Sequence, residues 1–94
     1  MFVRVVRFTD VDPDKLDALL ARIEAADGPP PGVNSSGIDF MHDRAQRTAV
    51  VVQRYATEQD METAAKVLDA MDGSETPGAR GSVDACELRL SLDG

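Results

Sequence analysis

Apolar positions recur along this chain with two periods, near two residues and near 3.6, and the switches between them outline the fold. Phe2-Val3-Arg4-Val5-Val6-Arg7-Phe8-Thr9 is rich in β-branched and aromatic residues and reads as a first strand. Asp12-Pro13-Asp14 then supplies an N-cap with proline at the first helical position. Leu16, Leu19, Leu20 and Ile23 follow at helical spacing, so the pattern predicts an amphipathic helix over 13–26. Gly28 and the run Pro29-Pro30-Pro31 end it, because proline has no amide hydrogen to continue the ladder. Residues 33–41 form a weaker strand, diluted by Asn34, Ser35, Ser36 and Gly37. His42-Asp43-Arg44-Ala45-Gln46 has the composition of a hairpin connection, and residues 48–55 carry the strongest strand signal in the chain.

Thr57 is placed to cap a second helix, with Asp60 as a short relative of the capping-box glutamate. Met61, Ala64, Ala65, Leu68 and Met71 make its apolar stripe, and Gly73 fits a C-cap. Residues 73–81 are polar and loop-like, and 82–92 read as a final strand. The apolar phase of that strand slips: Val83 and Ala85 share one parity, Leu88, Leu90 and Leu92 the other. A bulge, or burial of both faces, would account for the slip. The order β-α-β-β-α-β is the split pattern of a ferredoxin-like α+β domain, one four-stranded antiparallel sheet with two helices on one face, over residues 1–94.

Two helices cover one face of such a sheet. A strand with one wet face should alternate, yet Ala49 and Val51 oppose Val50 and Val52 in parity, and Val3 and Val5 oppose Phe2, Val6 and Phe8. The helix-free face is therefore expected to be apolar and to be covered by a second copy of the chain.

Charge narrows the partners. A net charge of −7 disfavours phosphate backbones and anionic headgroups, so neither nucleic acid nor a membrane is expected as partner. The aromatic residues Phe2, Phe8, Phe40 and Tyr55 are too few for a base-stacking platform. The single cysteine, Cys86, precludes an internal disulfide, and it is expected to be buried as a small hydrophobe. No apolar run approaches the roughly 20 residues of a membrane span. Arg4 and Arg7 interrupt any leader-like stretch, and a cytoplasmic location is the expectation.

Few residues offer chemistry. His42, the one histidine, lies between Asp39 and Asp43; it reads first as a solvated hairpin residue, with acid–base catalysis and metal ligation as alternatives. Arg4, Arg7 and Arg54 fall on strands, where each needs a carboxylate, the sheet edge or a ligand anion. Asn34 with Ser35 and Ser36 suits an edge strand or a pocket wall, and Tyr55 suits a rim position or a ligand hydrogen bond. Pro77-Gly78-Ala79-Arg80-Gly81 lacks a phosphate-loop lysine but fits a lid.

The opening strand, Arg-Thr-Ala-Val-Val-Val at 47–52, Glu-Gln-Asp-Met-Glu-Thr-Ala-Ala at 58–65 and Gly-Ser-Val-Asp-Ala-Cys-Glu-Leu at 81–88 carry a resemblance. In them the chain resembles the dimeric α/β-barrel superfamily, and within it small antibiotic biosynthesis monooxygenase-like proteins. The resemblance implies a homodimer with a pocket between sheet and helices for a small apolar or aromatic molecule. Two functions follow: ligand binding without turnover, or a cofactor-independent monooxygenase or isomerase acting on an aromatic or polyketide-like substrate. His42 is the candidate catalytic residue, and Arg4, Asn34, Tyr55 and Arg54 are the candidate ligand-binding residues. The chain has no Trp and one Tyr, and its only His precedes the third strand. It thus departs from the haem-degrading and quinone-forming members, and neither haem, metal nor another cofactor is expected.

Overall fold

A computed structural model describes residues 1–26, 28–70 and 76–93. The chain folds as β1 (Phe2–Thr9), α1 (Pro13–Ala25), β2 (Gly37–Asp43), β3 (Thr48–Tyr55), α2 (Glu58–Asp69) and β4 (Ala79–Glu87). Both helices start on the expected caps. Asp12 accepts from the amides of Asp14 at 3.0 Å and Lys15 at 3.5 Å, ahead of Pro13. Thr57 Oγ1 accepts from the Asp60 amide at 3.1 Å, so two helix starts have acceptors for otherwise unpaired amides. The Asp60 carboxylate does not close a capping box; its Oδ2 accepts from Asn34 Nδ2 at 3.3 Å. Met71 and Gly73 lie outside the described residues; α2 ends on Asp69 with Ala70 as its C-cap.

The four strands form one antiparallel sheet in the order β2-β3-β1-β4, the ferredoxin-like arrangement, with the most apolar strands at the centre. Register sorts the side chains. Phe2, Arg4, Val6 and Phe8 of β1 share a face with Ala49, Val51, Gln53 and Tyr55 of β3 and with Ile38, Phe40 and His42 of β2. Both helices cover this face. Val11, Leu16 and Ala49 form one buried cluster under α1, with Phe8 and Leu20 packed on it. Tyr55, Met61 and Ala64 form a second under α2, with Phe2 and Val33. Val3, Val5, Val50, Val52 and Met41 occupy the opposite face, which no helix covers. Val3, Val5, Val50 and Val52 are only half-buried there, and Met41 is exposed.

The strand ends differ from the expectation. β2 begins at Gly37 and runs through Asp43, so His42 is a strand residue opposite Ala49 rather than part of the turn. The turn is 44–47, closed by Gln46, whose amide and side chain donate to the Asp43 carboxylate at 3.1 and 2.7 Å. Those two bonds hold the Asp43 carboxyl below the ordinary aspartate range. The Arg47 carbonyl accepts from the Val11 amide at 2.9 Å, tying this turn to the start of α1.

β4 starts three residues before the expected 82 and stops at Glu87. It does carry a bulge, at Gly81, between the pairs Arg7–Ser82 and Phe8–Arg80. The apolar phase slip has another cause. Phe2 pairs with Glu87, and the Leu88 amide donates to Met1 O at 2.9 Å, and the pairing of β4 with β1 stops there. Leu90 and Leu92, 73% and 81% exposed, therefore belong to no strand. Cys86 is exposed rather than buried, because β4 is an edge strand with no helix above it and Cys86 points to the uncovered face with Val3.

Candidate functional site

A cavity of about 1060 Å³ lies over the sheet, with residues of both helices in its lining. Its floor is Val6 and Phe8 of β1, Val51 of β3 and Phe40 of β2; α1 contributes Leu19 and Ile23. The segment after α1 closes one side. Its prolines cannot extend the helix or join the sheet, so Pro29, Pro30 and Val33 run along the cavity wall. Gly32, with φ of +87°, turns that segment toward α2, where a Cβ would stand 3.1 Å from Val67. The lining is mainly apolar.

At one end the lining becomes polar, and the polar groups are bonded to one another. Tyr55 and Gln53 alternate with Val51 on β3, so all three face the cavity. The Tyr55 hydroxyl donates to Gln53 Oε1 at 3.2 Å. Arg4, directly opposite Gln53 in the sheet, donates Nη1 to the same oxygen at 3.1 Å. Arg4 Nη2 reaches Asp69 Oδ1 at 3.2 Å, and Arg80 Nη2 reaches that oxygen at 2.8 Å. Arg4 is 4% exposed, and burying a guanidinium costs several kcal/mol unless it is paired, which explains why two partners converge on it. Burial, then the neighbouring Arg80 cation, lowers the Arg4 pKa, while Asp69 and Tyr55 pull it the other way. Burial raises the Tyr55 pKa, partly offset by Arg4, so this phenol stays a neutral donor well above neutral pH.

Of the expected ligand-binding residues, Arg4 and Tyr55 thus meet at one site. Tyr55 is fully buried instead of standing at a rim, because Met61 and Ala64 of α2 pack over it. Arg4 lies behind the cavity wall and acts through Gln53, Asp69 and Arg80, which line it. Asn34 is turned away toward Asp60, while its neighbours Ser35 and Ser36 line the cavity. Arg54 falls on the uncovered face, where its guanidinium lies over Gly37 and pairs with Asp39. A Cβ at Gly37 would occupy the space of that guanidinium, which accounts for a glycine inside a strand. His42 shares the helix side but is not among the lining residues. No group of three or more His, Cys, Asp or Glu among the described residues is placed to hold a metal ion, and no described helix is long and apolar enough to cross a membrane.

Gln53, Asp69 and Arg80 were not singled out as site residues from the sequence. Gln53 had a usable signal, a polar residue inside the most apolar strand at the parity of Val51 and Tyr55. Asp69 and Arg80 had none, since their meeting depends on how α2 ends and where β4 begins.

No family model matches the chain, and no curated protein matches it. Among solved structures it is similar to the structure of Rv0793 from Mycobacterium tuberculosis, with 16% sequence identity over 98% of each chain and a TM-score of 0.47.

Proposed function

We propose that this protein is a homodimeric small-molecule-binding domain that holds an apolar or aromatic ligand between its sheet and helices without turning it over. The carrying observation is the cavity: about 1060 Å³, just above the roughly 300–1,000 Å³ usual for ligand sites, mainly apolar, with a few bonded polar groups at one end. That combination gives affinity through apolar burial and orientation through Gln53, Tyr55 and Arg80. The position of His42, outside the lining, favours binding over an oxygenase or isomerase, which would need a base beside the ligand. Asp69, the carboxylate that does line the cavity, has one oxygen engaged by two guanidiniums.

The second copy is proposed from the uncovered sheet face. Four strands of about eight residues give this face roughly 500 Å² in projection, and a half-buried apolar centre on such a face is a surface that a second copy can cover. Its centre is Val3, Val5, Val50 and Val52, and Arg7, Arg54, Asp39 and Asp84 surround it with both signs of charge. A two-fold axis through the valines would let that mixed rim pair with itself.

Isothermal calorimetry with cinnamyl alcohol, a neutral aromatic probe, tests the ligand site. Saturable binding of one molecule per chain is expected, lost in Ile38→Trp, where the larger ring fills the cavity edge. Absence of heat with the wild-type protein, together with an unmoved melting temperature, would exclude the site.

A further inference from the structure

The polar end of the cavity has more cationic hydrogen-bonding capacity than its own residues use. Arg4 and Arg80 converge on a single carboxylate oxygen, Asp69 Oδ1, at 3.2 and 2.8 Å. Two positive charges therefore face one negative charge among these three residues. A guanidinium offers five N–H donors in a planar fork, and Arg80 spends one of them on Asp69. Asp69 is also an awkward anion where it stands. It is the last residue of α2, where the helix carbonyls already present partial negative charge, and the arginine pair offsets that repulsion. A second anion arriving from the cavity would meet the unused edge of Arg80, with Gln53 and the Tyr55 hydroxyl beside it.

We propose that the ligand of this cavity is an apolar or aromatic carboxylate, whose anionic head is received by Arg80 at the Arg4–Asp69 pair while its body lies on Val6, Val51 and Phe40. The proposal rests on the cavity being a ligand site and adds the class of molecule that fills it. The geometry discriminates. A carboxylate is planar and accepts two parallel bonds from one guanidinium fork, an alcohol accepts one, and an ammonium meets two cations. Arg4 and Arg80 converge on one oxygen, and the repulsion between them, which after burial is the second cause of the lowered Arg4 pKa, is relieved by a further anion, which gives the acid a gain the alcohol lacks. The chain as a whole is acidic, at −7, so the preference comes from cations at the cavity, where Arg22 also lines the wall, and not from a general positive field.

Calorimetry at one pH and ionic strength with cinnamate, cinnamyl alcohol and cinnamylamine reads the proposal out as a ratio of affinities. Cinnamate is expected to bind about tenfold or more tightly than the alcohol, the usual worth of a charged hydrogen-bonded contact, and the amine most weakly. Arg80→Gln should bring the acid-to-alcohol ratio close to one. Asp69→Asn should raise that ratio, since a competing anion is gone while an acceptor oxygen remains for Arg4. A purely structural Arg80–Asp69 pair would not move the ratio in opposite directions for its two members. If Arg80→Gln fails to fold, the rise in Asp69→Asn carries the test alone. Equal affinities for acid and alcohol, unmoved by either substitution, overturn the carboxylate and leave the cavity standing. Failure of all three compounds to bind overturns the cavity reading and this one with it.

Discussion

Gln53 Oε1 accepts from the Tyr55 hydroxyl at 3.2 Å and, at 3.1 Å, from Arg4, so one amide oxygen joins a buried phenol to a buried cation. Both lone pairs of that oxygen are occupied, and Gln53 is the hinge of the polar end of the cavity. Alternation along β3 puts Gln53 beside Tyr55 on one face, and the β1–β3 register puts Arg4 directly across from it.

Tyr55 is the only tyrosine, so its ionisation is visible without interference. Burial raises its pKa above the unfolded value of about 10. A group with a raised folded pKa contributes stability that is complete below the unfolded pKa and lost as pH rises through the folded one. The tyrosinate ultraviolet band of the folded protein should therefore appear at higher pH than in the urea-unfolded chain. Resistance to urea should fall over the same alkaline interval, and Tyr55→Phe should abolish that fall. Coincident titration curves for folded and unfolded protein would contradict the buried position.

Arg4 and Asp69 should respond unequally to truncation. Asp69→Ala leaves the buried Arg4 cation with an amide as its remaining acceptor, a loss of about 3–5 kcal/mol if the usual cost of orphaning a buried charge applies. Arg4→Met leaves a half-exposed carboxylate still bonded to Arg80, and the methionine stem refills much of the space, so a loss of about 1–2 kcal/mol is expected. Urea midpoints of the two variants at pH 7 check the order; a larger loss in Arg4→Met would mean that packing, not charge, dominates at this position.

The sequence carries the element order, both helix caps and the two-faced apolar character of the central strands, because each is written in local periodicity or in one capping residue. Its errors fall at edges. Where β4 ends depends on its pairing with β1, which stops at Glu87 opposite Phe2, whatever the leucines at 88, 90 and 92 suggest. Cys86 looks buried by composition and is exposed because its strand is the last in the sheet. The site was half legible. Arg4 and Tyr55 stand out as polar groups in apolar strands, but Arg54, equally polar, has the parity of the uncovered face. Asp69 and Arg80 come together only through tertiary packing.

Gly78 should be far less replaceable than Gly81. A Cβ at Gly78 would press on the carbonyl oxygens of Thr9 and Asp10, backbone atoms held by β1 and by the bond from the Asp12 amide to Pro77 O at 3.0 Å. A Cβ at Gly81, the bulge residue, meets Arg7 O and Thr9 Cγ2 at an ordinary 3.4 Å. Gly78→Ala is expected to cost about 1–3 kcal/mol, as overpacking does, and Gly81→Ala less than about 1 kcal/mol. Thermal melts of the two variants against wild type measure the difference, and equal losses would mean that the β1–β4 connection yields at little cost.

Val51 and Val52 are neighbours on β3 with opposite fates. Val51, 4% exposed, faces the cavity floor and the helices, while Val52 is half-buried on the uncovered face between Val5 and Asp39. Val51→Asp puts a carboxylate on the apolar floor between Val6 and Phe40, and the cost of several kcal/mol is comparable with the whole stability of about 5–15 kcal/mol for a domain of this kind. It should lose the cooperative melt. Val52→Asp keeps solvent access in a single chain, so the folded monomer survives. In a dimer related by a two-fold axis through the valines, however, the substitution sets two new carboxylates against each other next to Asp39 of each copy. Light scattering across a size-exclusion peak should therefore report twice the chain mass for wild type at micromolar concentration. For Val52→Asp it should report the single chain mass with an intact circular dichroism spectrum. A wild-type peak at the mass of one chain would remove the second copy from the uncovered face and leave the valines as a surface awaiting a different partner.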